Sequence, residues 1–169
     1  YKQRLTAANA VEILKDYDFI IDGTDNFAAK FLVADACYFV HKPYSHAGIL
    51  GFNGQLMTVL PDETVCYRCV FGAPPPAGTI PSCSQAGVLG VLAGVIGTLQ
   101  AVEALKFLLQ KGNLLTNRLL TYDALESTFR NVPLKRNEKC KLCGSNPEIT
   151  EILDAESPPV CSLQSSSKC

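Results

Sequence analysis

Two Cys-x-x-Cys units carry the clearest chemistry in the chain: Cys66-Tyr-Arg-Cys69 and Cys140-Lys-Leu-Cys143, the second followed by Gly144. Each unit is a knuckle that turns two thiolates toward one point, and two knuckles complete a closed tetrahedral shell of four sulfurs. Soft thiolates in such a shell suit Zn2+, and with no open coordination position the expected role of the ion is structural. A redox dithiol of thioredoxin type needs its pair beside a helix N-terminus within a βαβ unit, a setting neither pair has. One disulfide within each pair is the alternative use of the same sulfurs. About seventy residues separate the pairs, so a metal cross-link between them closes a long loop and strongly constrains the unfolded chain.

A second group is Asp22-Gly-Thr-Asp-Asn26, a polar stretch after the apolar run 17–21. Asp22, Asp25 and Asn26 there could hold Mg2+ and a triphosphate, because Mg2+ takes one or two carboxylates plus phosphate oxygens. Asp25 or Asn26 equally suits the cap of a following helix. Lys30, one turn on, could reach a phosphate or stand in solvent. Cys83 lies just before a long apolar helix, whose N-terminus would stabilise a thiolate. It is a candidate nucleophile or an inert thiol near a helix start. His41 and His46 are candidate bases or ordinary packed or solvated histidines. Cys37 falls in an apolar helical pattern and reads as a small buried hydrophobe.

The elements that position these residues follow from periodicity. Residues 6–15 place Ala10, Ile13 and Leu14 on one face behind Thr6 as cap, which predicts a short amphipathic helix. Residues 17–21 are aromatic and β-branched and predict a buried strand. Phe27, Phe31, Ala34 and Tyr38 recur at helical spacing from a start near Asn26 until Lys42-Pro43. Helix, strand, helix is the signature of a parallel α/β sheet, with ligands bound beyond the carboxyl ends of the strands. From Tyr44 to Leu60 short extended segments broken by glycines predict antiparallel additions, with a strand over 55–60. Residues 72–82 are rich in Pro and Gly and form no regular element. Residues 87–110 predict one long, largely apolar helix in which Gly90 and Gly94 permit close approach of a helix, a sheet or a second subunit. Glycine-rich and interrupted by Gln100 and Glu103, it reads as a core helix rather than a membrane span. Two extended runs over 118–134 precede the second knuckle. The ordered domain is expected over 1–153, followed by a serine-rich, disordered tail over 154–169 that carries Cys161 and Cys169.

Composition sets wider bounds. A chain of 169 residues, 47% hydrophobic, is long enough for one domain with a sizeable core. A formal net charge of -1 with acids and bases interspersed gives no field to draw nucleic acid or an anionic membrane. No signal peptide opens the chain, and paired cysteines in a large core point to the reducing cytosol.

Asp22-Gly-Thr-Asp-Asn26, Gly54-Gln55, Cys66-Tyr-Arg-Cys69, Ala86-Gly87-Val88, Gly94-Val-Ile-Gly-Thr-Leu-Gln-Ala-Val-Glu-Ala-Leu-Lys106 and Cys140-x-x-Cys143-Gly144 occur in that order. In this the chain resembles the ThiF/MoeB/HesA family over roughly residues 1–150. The resemblance implies the Rossmann-like α/β sheet of ubiquitin-activating enzymes with antiparallel additions and a four-cysteine zinc site at Cys66, Cys69, Cys140 and Cys143. It implies MgATP-dependent adenylation of the C-terminal glycine of a small β-grasp sulfur-carrier or ubiquitin-like protein, as in thiamine or molybdopterin sulfur pathways. The enzyme would be a cytoplasmic homodimer with a sulfur-donor protein as a further partner. Asp25 would be the magnesium and ATP ligand, and Asn26 would assist at the nucleotide. Lys30 stands where the family often has arginine, and it lacks the bidentate geometry of that residue. Cys83 matches a cysteine that in some members carries a persulfide or a covalent link to the carrier.

The family's Gly-rich phosphate loop, ribose-binding acid and ATP-contacting arginine and lysine would all precede Tyr1, and no Gly-x-Gly-x-x-Gly stands in the chain. The chain by itself is therefore expected to adenylate poorly or not at all. A non-catalytic, zinc-stabilised carrier-binding remnant is the alternative function.

Overall fold

The computed structural model describes residues 1–76, 79 and 87–154. Cys83 and the tail from residue 155, with Cys161 and Cys169, lie outside the described residues.

Thr6 is the N-cap of α1 (Ala7–Leu14), and its amide donates to Asn9 Oδ1 at 2.8 Å. Ala10 and Leu14, one turn apart, form its buried face. β1 (Ile20–Asp22) is shorter and later than the apolar run suggested. Tyr17 is exposed and Ile21 is half-exposed, so aromatic and β-branched character overstated both the length and the burial of this strand. α2 (Phe27–Phe39) begins at Asn26, whose Oδ1 accepts from the Ala29 amide at 2.8 Å. β1, α2 and β2 (Tyr44–Leu50) make a βαβ unit, with β1 parallel to β2.

β3 (Asn53–Val59) returns antiparallel through Gly51 and Phe52, with Gly51 at φ +57°. After α3 (Tyr67–Phe71) and α4 (Gly90–Leu109), β4 (Arg118–Asp123) and β5 (Thr128–Pro133) complete a five-stranded sheet in chain order. Among the described residues only the first pair of strands is parallel, so the parallel part of the sheet is smaller than the α/β pattern implied and the antiparallel part larger.

The alternation of strand side chains assigns each face of the sheet to a helix layer. Tyr44, Met57 and Val59 join Phe31, Ala34, Tyr67 and the cysteine knuckles in one core. Ala47 and Leu56 face the other way and meet Leu92 and Ile96 of α4. There Gly54 is required, since a Cβ would stand 2.5 Å from Ile96 Cδ1. A Cβ at Gly90 or Gly94 would meet nothing within 4 Å, so the close approach expected at them is not made among the described residues. α4 meets the length and apolarity of a membrane-crossing helix. Gln100 Nε2 donates to the carbonyls of Asp22 at 3.0 Å and Ser45 at 2.9 Å, and Glu103 Oε2 accepts from Thr58 Oγ1 at 2.6 Å and the Leu115 amide at 2.7 Å.

Candidate functional site

The two knuckles meet. Cys66, Cys69, Cys140 and Cys143 place their sulfurs within 4.8 Å of one another. Sγ of Cys66 lies 3.6 Å from that of Cys69, 3.6 Å from that of Cys140 and 3.3 Å from that of Cys143. A tetrahedron of sulfurs with metal–sulfur bonds of about 2.3 Å has edges of about 3.8 Å. The cluster fits zinc with little adjustment, whereas a disulfide in either pair would have to draw its sulfurs in to about 2.05 Å.

Four crowded thiolates repel one another without a cation. The hydrogen bond to Cys143, then burial and the neighbouring sulfurs, push the Cys66 thiol far up. Hydrogen bonds from Cys66 and other thiols hold Cys143 down at about 5. The Asn137 amide donates to Cys69 Sγ at 3.4 Å, the kind of backbone contact that fixes a metal ligand. Gly144 closes the second knuckle, and a Cβ there would lie 2.5 Å from the carbonyl oxygens of Cys140 and Glu138. Arg136 reaches from Asp62 O at 3.0 Å to Cys143 O at 2.8 Å. A metal held by these four sulfurs would have no open coordination position and would serve as a cross-link.

The second site forms where β1 ends and α2 begins. Asn26 serves as the helix cap and also donates through Nδ2 to Asp25 Oδ1 at 3.2 Å. Asp25 is exposed beside the first turn of α2, whose positive dipole end favours an anion. A cation between the Asp25 carboxylate and a phosphate completes that arrangement chemically.

Asp22 and Lys30 differ from the expectation. Asp22 is the last residue of β1 rather than part of the loop, and it is 2% exposed. Its Oδ1 accepts from the Thr24 amide at 3.0 Å and Thr24 Oγ1 at 2.6 Å, and its Oδ2 lies 3.3 Å from Lys30 Nζ and 3.1 Å from His46 Nδ1. Burial opposes ionisation, but the His46 hydrogen bond, the Lys30 charge and Thr24 outweigh it and hold the carboxyl at about 2. Lys30 is buried, with its ammonium on Asp22 and Ala47 O, so it points into the protein and reaches neither solvent nor a phosphate site. The pairing with a buried carboxylate accounts for this inversion.

His46 is a core residue between Tyr67 and Phe71, at centroid distances of 4.6 and 5.6 Å. Burial lowers its pKa. His41 is exposed and pairs with Asp62 at 2.8 Å. Cys37 is fully buried, as its apolar surroundings implied. The spacing of residues did not reveal Arg68, which holds Asp35 with two 2.7 Å bonds and lies over the Phe31 ring at 4.8 Å. Its one signal was its place inside a knuckle.

A sulfur carrier protein adenylyltransferase of Thermus thermophilus is 46% identical over 161 residues, covering 92% of this chain and 59% of that protein. The SAMP-activating enzyme E1 of Haloferax volcanii is 41% identical over 160 residues, covering 95% and 58%. Adenylyltransferase and sulfurtransferase MOCS3 of Aedes aegypti is 40% identical over 166 residues, covering 98% and 38%. The chain thus spans well under two thirds of the length of each. Escherichia coli MccB, solved with ATP, has the same fold at a TM-score of 0.67 and 17% identity, over 83% of this chain and 44% of that one. A model described as the ThiF family matches residues 1–142, and with these relatives it shows that the chain belongs to the ThiF family.

Proposed function

We propose that the protein acts in the ATP-dependent adenylation of the C-terminal glycine of a small β-grasp sulfur-carrier or ubiquitin-like protein. The observation that carries this reading is Asp25, exposed at the carboxyl end of β1 and beside the N-terminus of α2, in a chain 46% identical to a named sulfur carrier protein adenylyltransferase.

In the reaction, a carboxylate oxygen of the carrier attacks the α-phosphorus of ATP. The new acyl–phosphate bond forms as the bond to the bridging oxygen breaks, and its electron pair leaves with pyrophosphate. Asp25 would hold Mg2+, which when bound neutralises the charge that builds on the phosphates. Asn26 fixes the first turn of α2 and orients Asp25 through its own amide. Lys30 contributes through the Asp22 carboxylate rather than by touching phosphate. Cys66, Cys69, Cys140 and Cys143 would hold a structural Zn2+, and Cys83 would take part in sulfur transfer.

The protein would work in the cytosol as a homodimer, with a sulfur donor as further partner and no membrane or nucleic acid. The exposed apolar residues Val91, Val102, Leu105 and Leu109 of α4 support a protein contact there. ATP–pyrophosphate exchange by the full-length protein with candidate carriers tests the reading. We expect carrier-dependent exchange that Asp25→Asn abolishes, and sulfur transfer that stops when Cys83 is alkylated. No exchange with any carrier would leave a zinc-stabilised binding module.

A further inference from the structure

A run of packed side chains joins the two sites. Cys66 is the N-cap of α3, and the next residue, Tyr67, is 2% exposed with its ring against both His46 and Phe31, the latter edge-on at 4.8 Å. Phe71, from the last turn of the same helix, closes on His46 at 5.6 Å. His46 therefore sits in an aromatic bracket built by the five residues of α3, and α3 carries Cys69 besides following Cys66. On its other side His46 meets Asp22 at 3.1 Å. An ionised carboxylate only accepts, so Nδ1 carries the proton. Among the described residues, Nε2 is buried without a hydrogen-bond partner. Asp22 and the bracket are the hydrogen bond and the ring contacts that orient the imidazole among the described residues. Asp22 in turn holds Thr24 by both its amide and its hydroxyl, one residue from Asp25.

We propose that His46 is a positioning residue that couples the four-sulfur knuckle to the Asp22–Asn26 loop, so that metal at the one and nucleotide at the other each steady the other's binding. Displacing α3 moves the aromatic bracket, the imidazole turns with it, and Asp22 Oδ2 loses one of the two donors, His46 and Lys30, that fix the carboxylate against Thr24. The Arg68–Asp35 pair adds rigidity, since it locks α3 to the middle of α2, the helix whose first turn the loop caps. Coupling between two sites is reciprocal in binding free energy, and a change in affinity falls mostly on the off-rate, so it is measurable at the metal end as zinc release. The proposal rests on the reading of Asp25 as a nucleotide-side ligand.

The test follows zinc release from the full-length protein to 4-(2-pyridylazo)resorcinol, with and without α,β-methylene-ATP and Mg2+. Binding of the analogue is measured separately by calorimetry. In the wild type the analogue is expected to slow release at least about fivefold. His46→Phe keeps a ring in the bracket and loses the donor; His46→Asn keeps a donor near Nδ1 and loses the ring. Each should still bind the analogue, while the slowing falls to less than about twofold, because either change breaks the chain of contacts. A merely structural histidine would alter release equally in both conditions. Equal slowing in wild type and variants, or none in a wild type that binds the analogue, overturns the coupling. A protein that does not bind the analogue at all overturns the nucleotide reading and the coupling with it. If neither variant folds, the imidazole 15N resonances of His46 in the wild type decide: movement on analogue binding and on metal removal supports the coupling, and unmoved resonances refute it.

Discussion

Replacing Asp22 by Asn should destabilise the protein by about 3 kcal/mol. The substitution keeps shape, and one oxygen can still accept from Thr24. The other position becomes an amide nitrogen facing two donors, Lys30 Nζ and His46 Nδ1, in a site where the three side chains are 9% exposed or less. Removing one partner of a buried pair costs about 3–5 kcal/mol. The low end applies because Lys30 keeps its bond to Ala47 O and the imidazole can change tautomer to accept at Nδ1.

The pH dependence gives a second measure. Asp22 is held at about 2 in the folded protein, against about 3.9 when unfolded. A group with a depressed folded pKa contributes stability that is complete above the unfolded value and is lost as pH falls through the folded one. The wild type should therefore lose about 1.8 kcal/mol between about pH 4 and 2 through this group, and Asp22→Asn should not. His46, also lowered, acts in the same direction at higher pH, with its contribution complete above about 6.5. The assay is denaturant and thermal unfolding of full-length protein from about pH 2 to 7, with the melting temperature at neutral pH expected to fall about 6–12 °C. Asp22→Asn with Lys30→Met should regain about half the loss, since no charge then stays unpaired. A cost below about 1 kcal/mol, or an unchanged acid limb in Asp22→Asn, would refute the view that this carboxylate anchors the loop.

Chelating the metal should lower the melting temperature clearly, and an unchanged melt would contradict a structural zinc. Gly144→Ala, whose Cβ meets two carbonyl oxygens at 2.5 Å, should weaken zinc binding by about tenfold or more in chelator competition. Gly54→Ala should cost about 1–3 kcal/mol by overpacking against Ile96, and Ile96→Val in the same chain should recover part of it in unfolding titrations. Asp25→Asn should leave the melt within about 0.5 kcal/mol of wild type while abolishing exchange, because the residue is exposed.

The four-cysteine site was legible because each half of it is local: Cys66 with Cys69 and Cys140 with Cys143 are pairs three apart, and spacing states their geometry. Asn26 was legible for the same reason, as a cap bonding three residues on. The Asp22 network was not. Its partners lie 8 and 24 residues away, a lysine and a histidine that on surface statistics belong in solvent. Nothing in their spacing announces that β1, α2 and β2 bring the three together. Arg68 and Asp35, 33 residues apart, were hidden likewise. The sequence did show Gln100 and Glu103 as polar interruptions of an apolar helix, but not which carbonyls and hydroxyl they would meet.

Those two residues bear on how the fold avoids near-misses. α4 is apolar around most of its circumference, and such a helix could lie on a sheet in many rotations of similar energy, since Leu, Ile and Val exchange neighbours cheaply. Rotating it by one residue would strip the Gln100 amide from Asp22 O and Ser45 O and the Glu103 carboxylate from Thr58 and Leu115. Each abandoned buried polar group costs about 1–3 kcal/mol, more for the charge. The two polar side chains act as a vernier that selects one seating of an otherwise slippery helix, widening the energy gap between the native arrangement and its closest competitors.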